Sequence, residues 1–356
     1  MRRITYIEMR GFVIHIFLTA GIFISSCNSL RKAANADNPI PVIFETDMGN
    51  DIDDALALDM LYKYADQGRI KLLALSTNKN HLSSASYLDV MNNWYGYPNI
   101  PVGAVVGGAN SETGSVPYTE VLTNYLPAFK RTVSNNANYA ESVALYRRIL
   151  SVAADYSVVI ISVGFSTNLA RLLDSAPDQY SHLAGKELVA RKVKLLSVMA
   201  GNFKDQSFKE YNVIKDIPAA QQLFELWPTQ IVVSPFELGD QIKYPASSIR
   251  NDFNWTSHHP MVIAYKSYAK MPYDRQTWDL TSVLYAVEGA KHFFSLSEKG
   301  TIEVTNEGIT FFAPNRDGRH CYLRVNDEQA ARIKKRFMEL ITTKPLSQTR
   351  LQADSR

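Results

Sequence analysis

The sequence predicts an α/β fold in which a mostly parallel sheet carries helices on both faces. From Pro41 onward, short β-branched runs alternate with stretches of helical periodicity. Some of these runs are apolar throughout, as in residues 158–163, which is typical of parallel strands buried on both faces. At 356 residues, 46% of them hydrophobic and 21% charged, the chain is long enough to bury a sizeable core.

Each predicted element rests on its own local pattern. Strands are predicted where four to eight β-branched or apolar residues run together, and helices where longer stretches follow them. In chain order the strands are Val42–Glu45, Lys71–Ser76, Ser157–Val163, Lys192–Met199 and Gln230–Ser234, and the helices are Ala55–Gln67, Ser83–Tyr95, Leu169–Ser175 and Pro218–Trp227.

The last third of the chain ends in a hairpin and a helix. Gly300–Val304 and Gly308–Phe312 flank the turn signal Asn-Glu-Gly, which predicts a β-hairpin, and Glu328–Ile341 predicts a closing helix. The stretch from Gly107 to Asn138 is rich in Gly, Ser, Thr and Asn and has no clear periodicity. A connection that long is usually functional, for example as a lid or specificity loop. Without a repeat or second boundary, residues 39–345 are predicted to form a single domain.

The N-terminus has the pattern of a targeting segment. Three arginines precede an apolar run from Phe12 to Ile24, and two serines then precede Cys27, as in the lipobox of bacterial lipoproteins. We expect a signal peptide over residues 1–27, a lipid anchor on Cys27 and a polar tether over 28–38, with the protein exported and facing the periplasm or the cell surface. A plain signal peptide or a short membrane anchor is the alternative. Only Cys321 would then remain, so stability must come from packing and not from a disulfide.

The net charge of the chain and its distribution bear on whether nucleic acid is a partner. The net charge is +3, and the sole basic cluster is the short stretch at 332–336. Nucleic-acid binding is therefore not indicated. A homo-oligomer is left open.

The run from Val42 to Leu58 carries the strongest chemical signal. An apolar strand leads into five acidic residues before a helix begins. Carboxylates this dense repel one another, and the usual remedy is a hard cation such as Ca²⁺ or Mg²⁺. Ligand sites of open α/β sheets lie outside the carboxyl ends of the strands, which is where this loop would be. The alternative is a solvated helix N-terminus, where acidic residues interact well with the helix dipole.

Four later loops supply further oxygen ligands or sugar-binding groups, each after an apolar strand or helix. They are Ser76–Asn78, Gly164–Ala170, Gly201-Asn202 with Glu210–Asn212, and Trp278–Leu280. In order and spacing, these loops and the acidic loop resemble the motifs of the inosine-uridine preferring nucleoside hydrolase family over roughly residues 40 to 330.

The resemblance implies an N-glycosidase that cleaves ribonucleosides to base and ribose, a reaction of purine salvage, with Ca²⁺ as cofactor and the nucleoside as its small-molecule partner. It implies that Asp47 is the general base toward a calcium-bound water and that Asp47, Asp54, Asp279 and the Thr167 carbonyl hold the metal. Its implied ribose-binding residues are Asp53, Asn78, Asn202, Glu210 and Asn212. Carboxylates and amides suit this chemistry because the sugar becomes oxocarbenium-like during cleavage.

Several positions depart from the family pattern. Glu45 stands for the family's first Asp, and Asn50-Asp51 form an apparent two-residue insertion, so Asp51 could take the role of Asp53. Trp278 replaces the histidine that protonates the leaving base in many relatives and resembles the tryptophan of a purine-preferring branch, where it stacks on the base. Purine preference is therefore expected, and the leaving-group acid is not identified. Two alternatives stay open: a non-catalytic nucleoside- or sugar-binding lipoprotein, and a hydrolase of a different N-riboside.

Overall fold

The computed structural model describes residues 38–109, 118–123, 129–134 and 138–349. Within these ranges, a long mixed sheet forms the centre of the fold, and most of its strands pair in parallel. The predicted signal peptide, the tether up to residue 37, and parts of the 107–138 connection lie outside the described residues. No helix in the described ranges is both long and apolar enough to cross a membrane.

The strands are numbered in chain order. They are β1 (Ile40–Thr46), β2 (Ile70–Thr77), β3 (Val102–Ala104), β4 (Ala140–Glu141), β5 (Val158–Val163), β6 (Val193–Met199), β7 (Gln230–Ser234), β8 (Lys243–Tyr244), β9 (Arg275–Gln276), β10 (Ser295–Leu296), β11 (Gly300–Val304), β12 (Thr310–Pro314) and β13 (His320–Arg324). The order in the main sheet is β12-β11-β13-β7-β6-β5-β1-β2-β3-β4, with β10 paired to β13, while β8 and β9 form a separate antiparallel pair.

The helices follow the same numbering. They are α1 (Asp53–Asp66), α2 (Leu82–Tyr95), α3 (Tyr118–Thr123), α4 (Ser142–Val152), α5 (Thr167–Asp174), α6 (Gly185–Lys192), α7 (Tyr211–Lys215), α8 (Ile217–Leu226), α9 (Phe236–Gln241), α10 (Ala246–Asn251), α11 (Pro260–Tyr268), α12 (Trp278–Glu288) and α13 (Asp327–Ile341).

The core consists of two apolar layers, one on each face of the sheet. Along β1, Val42 and Phe44 pack with α1, α2, α12 and α13, whereas Ile43 packs with α4, α5, α6 and α8. Successive residues of a strand point to opposite faces, so a strand covered on both sides must be apolar throughout. The predicted α/β class, with a mostly parallel sheet and helices on both faces, is confirmed.

The chain reverses its direction of travel through the sheet at β1. The strands β2, β3 and β4 extend to one side of β1, and β5, β6 and β7 extend to the other. Loops leaving β1 and β5 therefore diverge and open a crevice at the carboxyl ends of these strands. This crevice is the expected place for a ligand.

Most predicted elements are present, with ends shifted by one or two residues. β7 has the predicted bounds, and the C-terminal hairpin pairs Gly300 with Pro314 through Val304 with Thr310. α5 begins at Thr167, two residues before the prediction, because the Gly164–Ser166 turn leads directly into the helix. Within the 107–138 connection, the short helix α3 was not predicted.

Candidate active site

A cavity of about 320 Å³ opens at the crevice between β1 and β5. That volume lies within the range of small-molecule sites. Its polar wall is formed chiefly by six acidic side chains: Asp47, Asp51, Asp53, Asp54, Glu210 and Asp279. Its apolar wall includes Val163, Met199, Tyr211, Phe236 and Trp278. The sequence-predicted Asn212 also lines the cavity, so seven of the predicted residues meet there.

Three of these carboxylates are close enough to share one cation. Oxygen atoms of Asp53, Asp54 and Asp279 lie within 4.8 Å of one another, and all three side chains are buried. Asp53 accepts a hydrogen bond of 3.0 Å from the backbone N–H of Asp279, and Asp54 accepts one from the Thr46 hydroxyl. Asp279 Oδ2 is buried with no hydrogen-bond partner in the described residues. An orphaned carboxylate oxygen beside two further carboxylates fits a hard cation with oxygen ligands.

The electrostatics of the cluster lead to the same conclusion. Burial raises the pKa of Asp47 to about 6 and that of Asp53 to about 7, and for Asp53 the negative charge of Asp47 adds to the effect. Burial, followed by repulsion from neighbouring carboxylates, raises the pKa values of Asp54 and Asp279 well above the usual range. Ionising all of these carboxylates together is therefore unfavourable in the protein alone, and a bound cation would offset their repulsion.

Asp47 follows β1 and is held by its own loop. Asn50 Nδ2 donates to Asp47 Oδ2 over 2.5 Å, and the loop turns at Gly49, whose φ is +108°. The buried ammonium of Lys79 opposes the effect of burial and lowers the pKa of Asp47. Asp47 is not among the three residues of the closest cation cluster, whereas Asp53, predicted to bind ribose, is one of them.

Glu45, in strand β1, is fully buried and is not among the described residues that line the cavity. Its carboxylate accepts hydrogen bonds from Tyr146 (2.5 Å), Asn78 Nδ2 (3.1 Å) and Ser162 (3.0 Å). Asn78 is thereby fixed, while its Oδ1 has no partner in the part of the chain that the structure describes. A Cβ at Gly164 would lie 2.4 Å from that oxygen, so only glycine permits this approach.

The segment after β6 brings two predicted residues to the cavity and keeps one away from it. Glu210 caps α7 by accepting hydrogen bonds from the N–H groups of Asn212 and Val213, and it also accepts one from Gly201. Burial nevertheless raises the pKa of Glu210 to about 7. Asn202 is buried, and its Oδ1 accepts from the backbone N–H groups of residues 204 and 205. Among the residues described, Asn78, Asn202 and Thr167 do not line the cavity.

Thr167, predicted to offer its carbonyl to the metal, begins α5 beside the crevice. Its hydroxyl donates to Asp216 Oδ2, which ties α5 to the start of α8. The carbonyl ligand therefore stays a prediction.

Trp278 forms the aromatic end of the cavity at the start of α12. Its indole N–H donates to the carbonyl of Phe236 over 2.9 Å, and the two rings stack with centroids 5.3 Å apart. A Cβ at Gly239 would lie 2.3 Å from Trp278 Cδ1, so a glycine is needed where the indole meets α9. The side chain of Arg275 lies over the Trp278 ring, with Cζ 5.2 Å from its centroid.

Sequence reasoning missed several residues of this site. Asn50 donates a hydrogen bond to Asp47, and the charge of Lys79 lowers the pKa of Asp47. Arg275 lies over the Trp278 ring. Phe236, to which no chemistry was assigned, lines the cavity. Lys79 directly follows the Asn78 motif, so its position alone could have drawn notice. No histidine lines the cavity in the described ranges, which leaves the leaving-group acid unassigned.

Comparisons with known proteins identify the family and the fold. A family model for inosine-uridine preferring nucleoside hydrolases matches residues 42–336. A plant nucleoside hydrolase is 17% identical, with a TM-score of 0.66, over 86% of this chain and 100% of its own. A purine-preferring ribonucleoside hydrolase from Gardnerella vaginalis is 15% identical, with a TM-score of 0.66, over 85% of this chain and 98% of its own.

A third protein of the same fold carries a different description. The type III effector protein XopQ, solved in complex with adenosine diphosphate ribose, is 14% identical, with a TM-score of 0.58, over 85% of this chain and 94% of its own. No curated protein sequence matches this chain. The family match spans most of the chain and includes every predicted site residue, from Asp47 to Asp279. The chain therefore belongs to the inosine-uridine preferring nucleoside hydrolase family.

Proposed function

We propose that the protein hydrolyses the N-glycosidic bond of ribonucleosides, with purine nucleosides preferred and Ca²⁺ as cofactor. The observation that carries the proposal is the joint position of Asp47 and the Asp53, Asp54 and Asp279 cluster in one cavity, beside an aromatic wall. The proposed reaction uses three parts: a general base, a cation site and a surface for the planar nucleobase.

Asp47 is the proposed general base. It lies in the cavity, its carboxylate is oriented by Asn50, and burial raises its pKa to about 6. A carboxylate with that pKa is ionised near neutral pH and is a stronger base than an exposed aspartate. In the proposed reaction, Asp47 takes a proton from the attacking water, whose oxygen bonds to the anomeric carbon as the bond to the nucleobase breaks. The nucleobase leaves with the bonding electron pair and takes a proton from solvent.

The remaining carboxylates hold the cation and the sugar. Asp53, Asp54 and Asp279 are the ligands that the geometry favours, and their all-oxygen donor set suits Ca²⁺ better than Zn²⁺. When bound, the cation would lower the pKa of water at the site and orient the ribose hydroxyls. Glu210 and Asn212 line the same cavity and would contact the sugar, where positive charge develops during cleavage.

Substrate turnover tests this proposal directly. Protein lacking residues 1–27 would be incubated with inosine, guanosine, adenosine, uridine and cytidine, with Ca²⁺ or with chelator, and released ribose would be assayed as reducing sugar. We expect calcium-dependent release that is fastest with purine nucleosides. Asp47→Asn is the matched control, since it keeps the shape of the side chain and removes the base. Equal release by wild type and Asp47→Asn would refute the assignment.

A second candidate is supported by the fold comparison. Because XopQ was solved with adenosine diphosphate ribose, a protein of this fold can bind an N-riboside larger than a nucleoside. The candidate activity is therefore binding or hydrolysis of such a riboside. Calorimetry with ADP-ribose and with inosine on Asp47→Asn separates the two, because the tighter ligand identifies the substrate class.

We further propose that the protein is exported and held at a membrane by lipid on Cys27. The support is the arginine-rich start, the apolar run and the small residues before Cys27. Metabolic labelling with a fatty-acid analogue, compared between wild type and Cys27→Ser, tests the anchor.

A further inference from the structure

The apparent insertion Asn50-Asp51 makes a contact that joins the loop after β1 to strand β9. Asp51 Oδ1 accepts a hydrogen bond of 2.7 Å from Arg275 Nε, and Arg275 Nη2 forms an ion pair with Asp51 Oδ2. The two residues are 224 positions apart in the chain. Their side chains are only 25% and 20% exposed, so the pair is better shielded from solvent than a surface ion pair.

Arg275 also lies over two aromatic rings. Its Cζ is 5.2 Å from the centroid of Trp278 and 5.2 Å from that of Tyr268. Phe236 stacks on the indole of Trp278, and Phe208 packs against Phe236 at a tilt of 33°, with centroids 4.3 Å apart. We call this series, from Phe208 through Phe236, Trp278 and Arg275 to Tyr268, the aromatic ladder. A guanidinium fixed by a carboxylate holds such a ladder more firmly than a free one does.

The aromatic ladder and the Asp51–Arg275 ion pair meet at the cavity. Asp51, Phe236 and Trp278 all line it. Both oxygens of Asp51 contact Arg275, so Asp51 holds this side chain in place. Asp51 thus helps to set where the plane of the indole lies at the end of the cavity that is proposed to receive the base.

We propose that Arg275, held by Asp51, is a specificity-determining positioning residue that fixes Trp278 as the aromatic wall against which the base of the substrate packs. The inference rests on the proposed nucleoside hydrolase function. It assigns to the inserted Asp51 a role in base selection, acting through Arg275 and the indole.

The test is a double-mutant cycle between Arg275 and Trp278, with the ratio of kcat/KM for inosine to that for uridine as readout. We expect Trp278→Ala and Arg275→Met each to lower this ratio about tenfold, through KM more than kcat. The double variant should be no worse than Trp278→Ala alone, because Arg275 acts through the indole. Asp51→Asn should give a smaller fall, and Arg275→Lys should restore part of the ratio, since it keeps the charge over the ring.

A matched control separates this role from stability. Arg147 forms the same two-point bridge with Asp178, at 2.7 and 3.1 Å, and neither residue lines the cavity. Arg147→Met should lower the melting temperature and leave the inosine-to-uridine ratio unchanged. If Arg275→Met behaves like Arg147→Met, or if its effect adds to that of Trp278→Ala, the inference is overturned.

Binding distinguishes this failure from failure of the proposed function. Calorimetry with inosine on Asp47→Asn, with and without Arg275→Met, should show about tenfold weaker binding in the double variant. Turnover by wild type with equal inosine affinity in both variants overturns the role of Arg275 alone. Absence of any nucleoside turnover or binding by wild-type protein overturns the proposed function and this inference with it.

Discussion

Helix α1 buries carboxylates in two regions that differ in how their charge is balanced. Near its middle, Asp59 contacts Lys63 at 3.6 Å and accepts a hydrogen bond from Tyr95. At its start, Asp53 and Asp54 face Asp279, and none of these three has a lysine or arginine within ion-pair distance in the described ranges. The first region is a structural ion pair. The second has an unbalanced charge, which marks a site that needs a ligand.

The largest expected effect is a loss of activity without a loss of stability. Asp47→Asn should lower kcat/KM for the best nucleoside by ~10²–10⁴, because it removes the proposed base. The variant should melt no lower than wild type, since it removes one of several crowded carboxylates. Steady-state kinetics and a thermal melt are the measurements. Activity within tenfold of wild type would show that Asp47 is not the base.

The opposite result is expected at the other region of α1. Lys63→Met should lower the free energy of unfolding by about 3–5 kcal/mol, because it leaves Asp59 buried without its cation. Adding Asp59→Leu should recover most of the loss, since an apolar pair replaces the ion pair. Denaturant unfolding measures both. Turnover per folded molecule should not change, and a specific loss of turnover would mean that the two regions are coupled.

Removal of the proposed cation by chelation should affect the carboxylate cluster and not the Asp59–Lys63 ion pair. At a free Ca²⁺ concentration of a hundred times Kd, binding should stabilise the native state by about 2.7 kcal/mol, and chelation should remove that gain. The calcium-dependent shift in Tm should persist in the Lys63→Met, Asp59→Leu double variant. A shift of the same size in an Asp54→Asn, Asp279→Asn variant would place the cation elsewhere.

The smallest expected effect is the change in stability caused by Asp54→Asn, which should depend on whether Ca²⁺ is present. In chelator, Asp54→Asn should stabilise the protein by on the order of 1 kcal/mol, because one repelling carboxylate is gone. With Ca²⁺ added, the variant should gain less stability than wild type, since it has lost a ligand. Thermal melts in the two conditions test the reversal, and destabilisation in both would identify Asp54 as a purely structural residue.

The sequence predicted those parts of the molecule that depend on local pattern. The apolar strands β1, β5 and β7 were found within one or two residues, because a strand buried on both faces is apolar throughout. α12 was missed as a helix because most of its residues are buried, so it lacks a clear polar face.

In the candidate site, too, residues in local motifs were predicted and residues defined by long-range contacts were not. Asp47, Asp53, Asp54 and Asp279 were identified because each lies in a short motif, and all four line the cavity. Which of them are nearest to one another could not be read from spacing, since Asp279 comes from helix α12, far along the chain. Arg275 was missed for the same reason, because its contact with Asp51, 224 positions away in the chain, exists only in the folded protein.

The span of the carboxylate cluster has a consequence for assembly of the protein. Its members come from residues 53, 54 and 279, so the cation site is completed only when α12 has docked beside α1. A chain released before residue 279 is made, or one with α12 undocked, would lack the third ligand. A cation held by all three carboxylates would then bind only to the completely assembled domain and shift the folding equilibrium toward it. The ion would thus act as a checkpoint that separates finished molecules from partly folded ones.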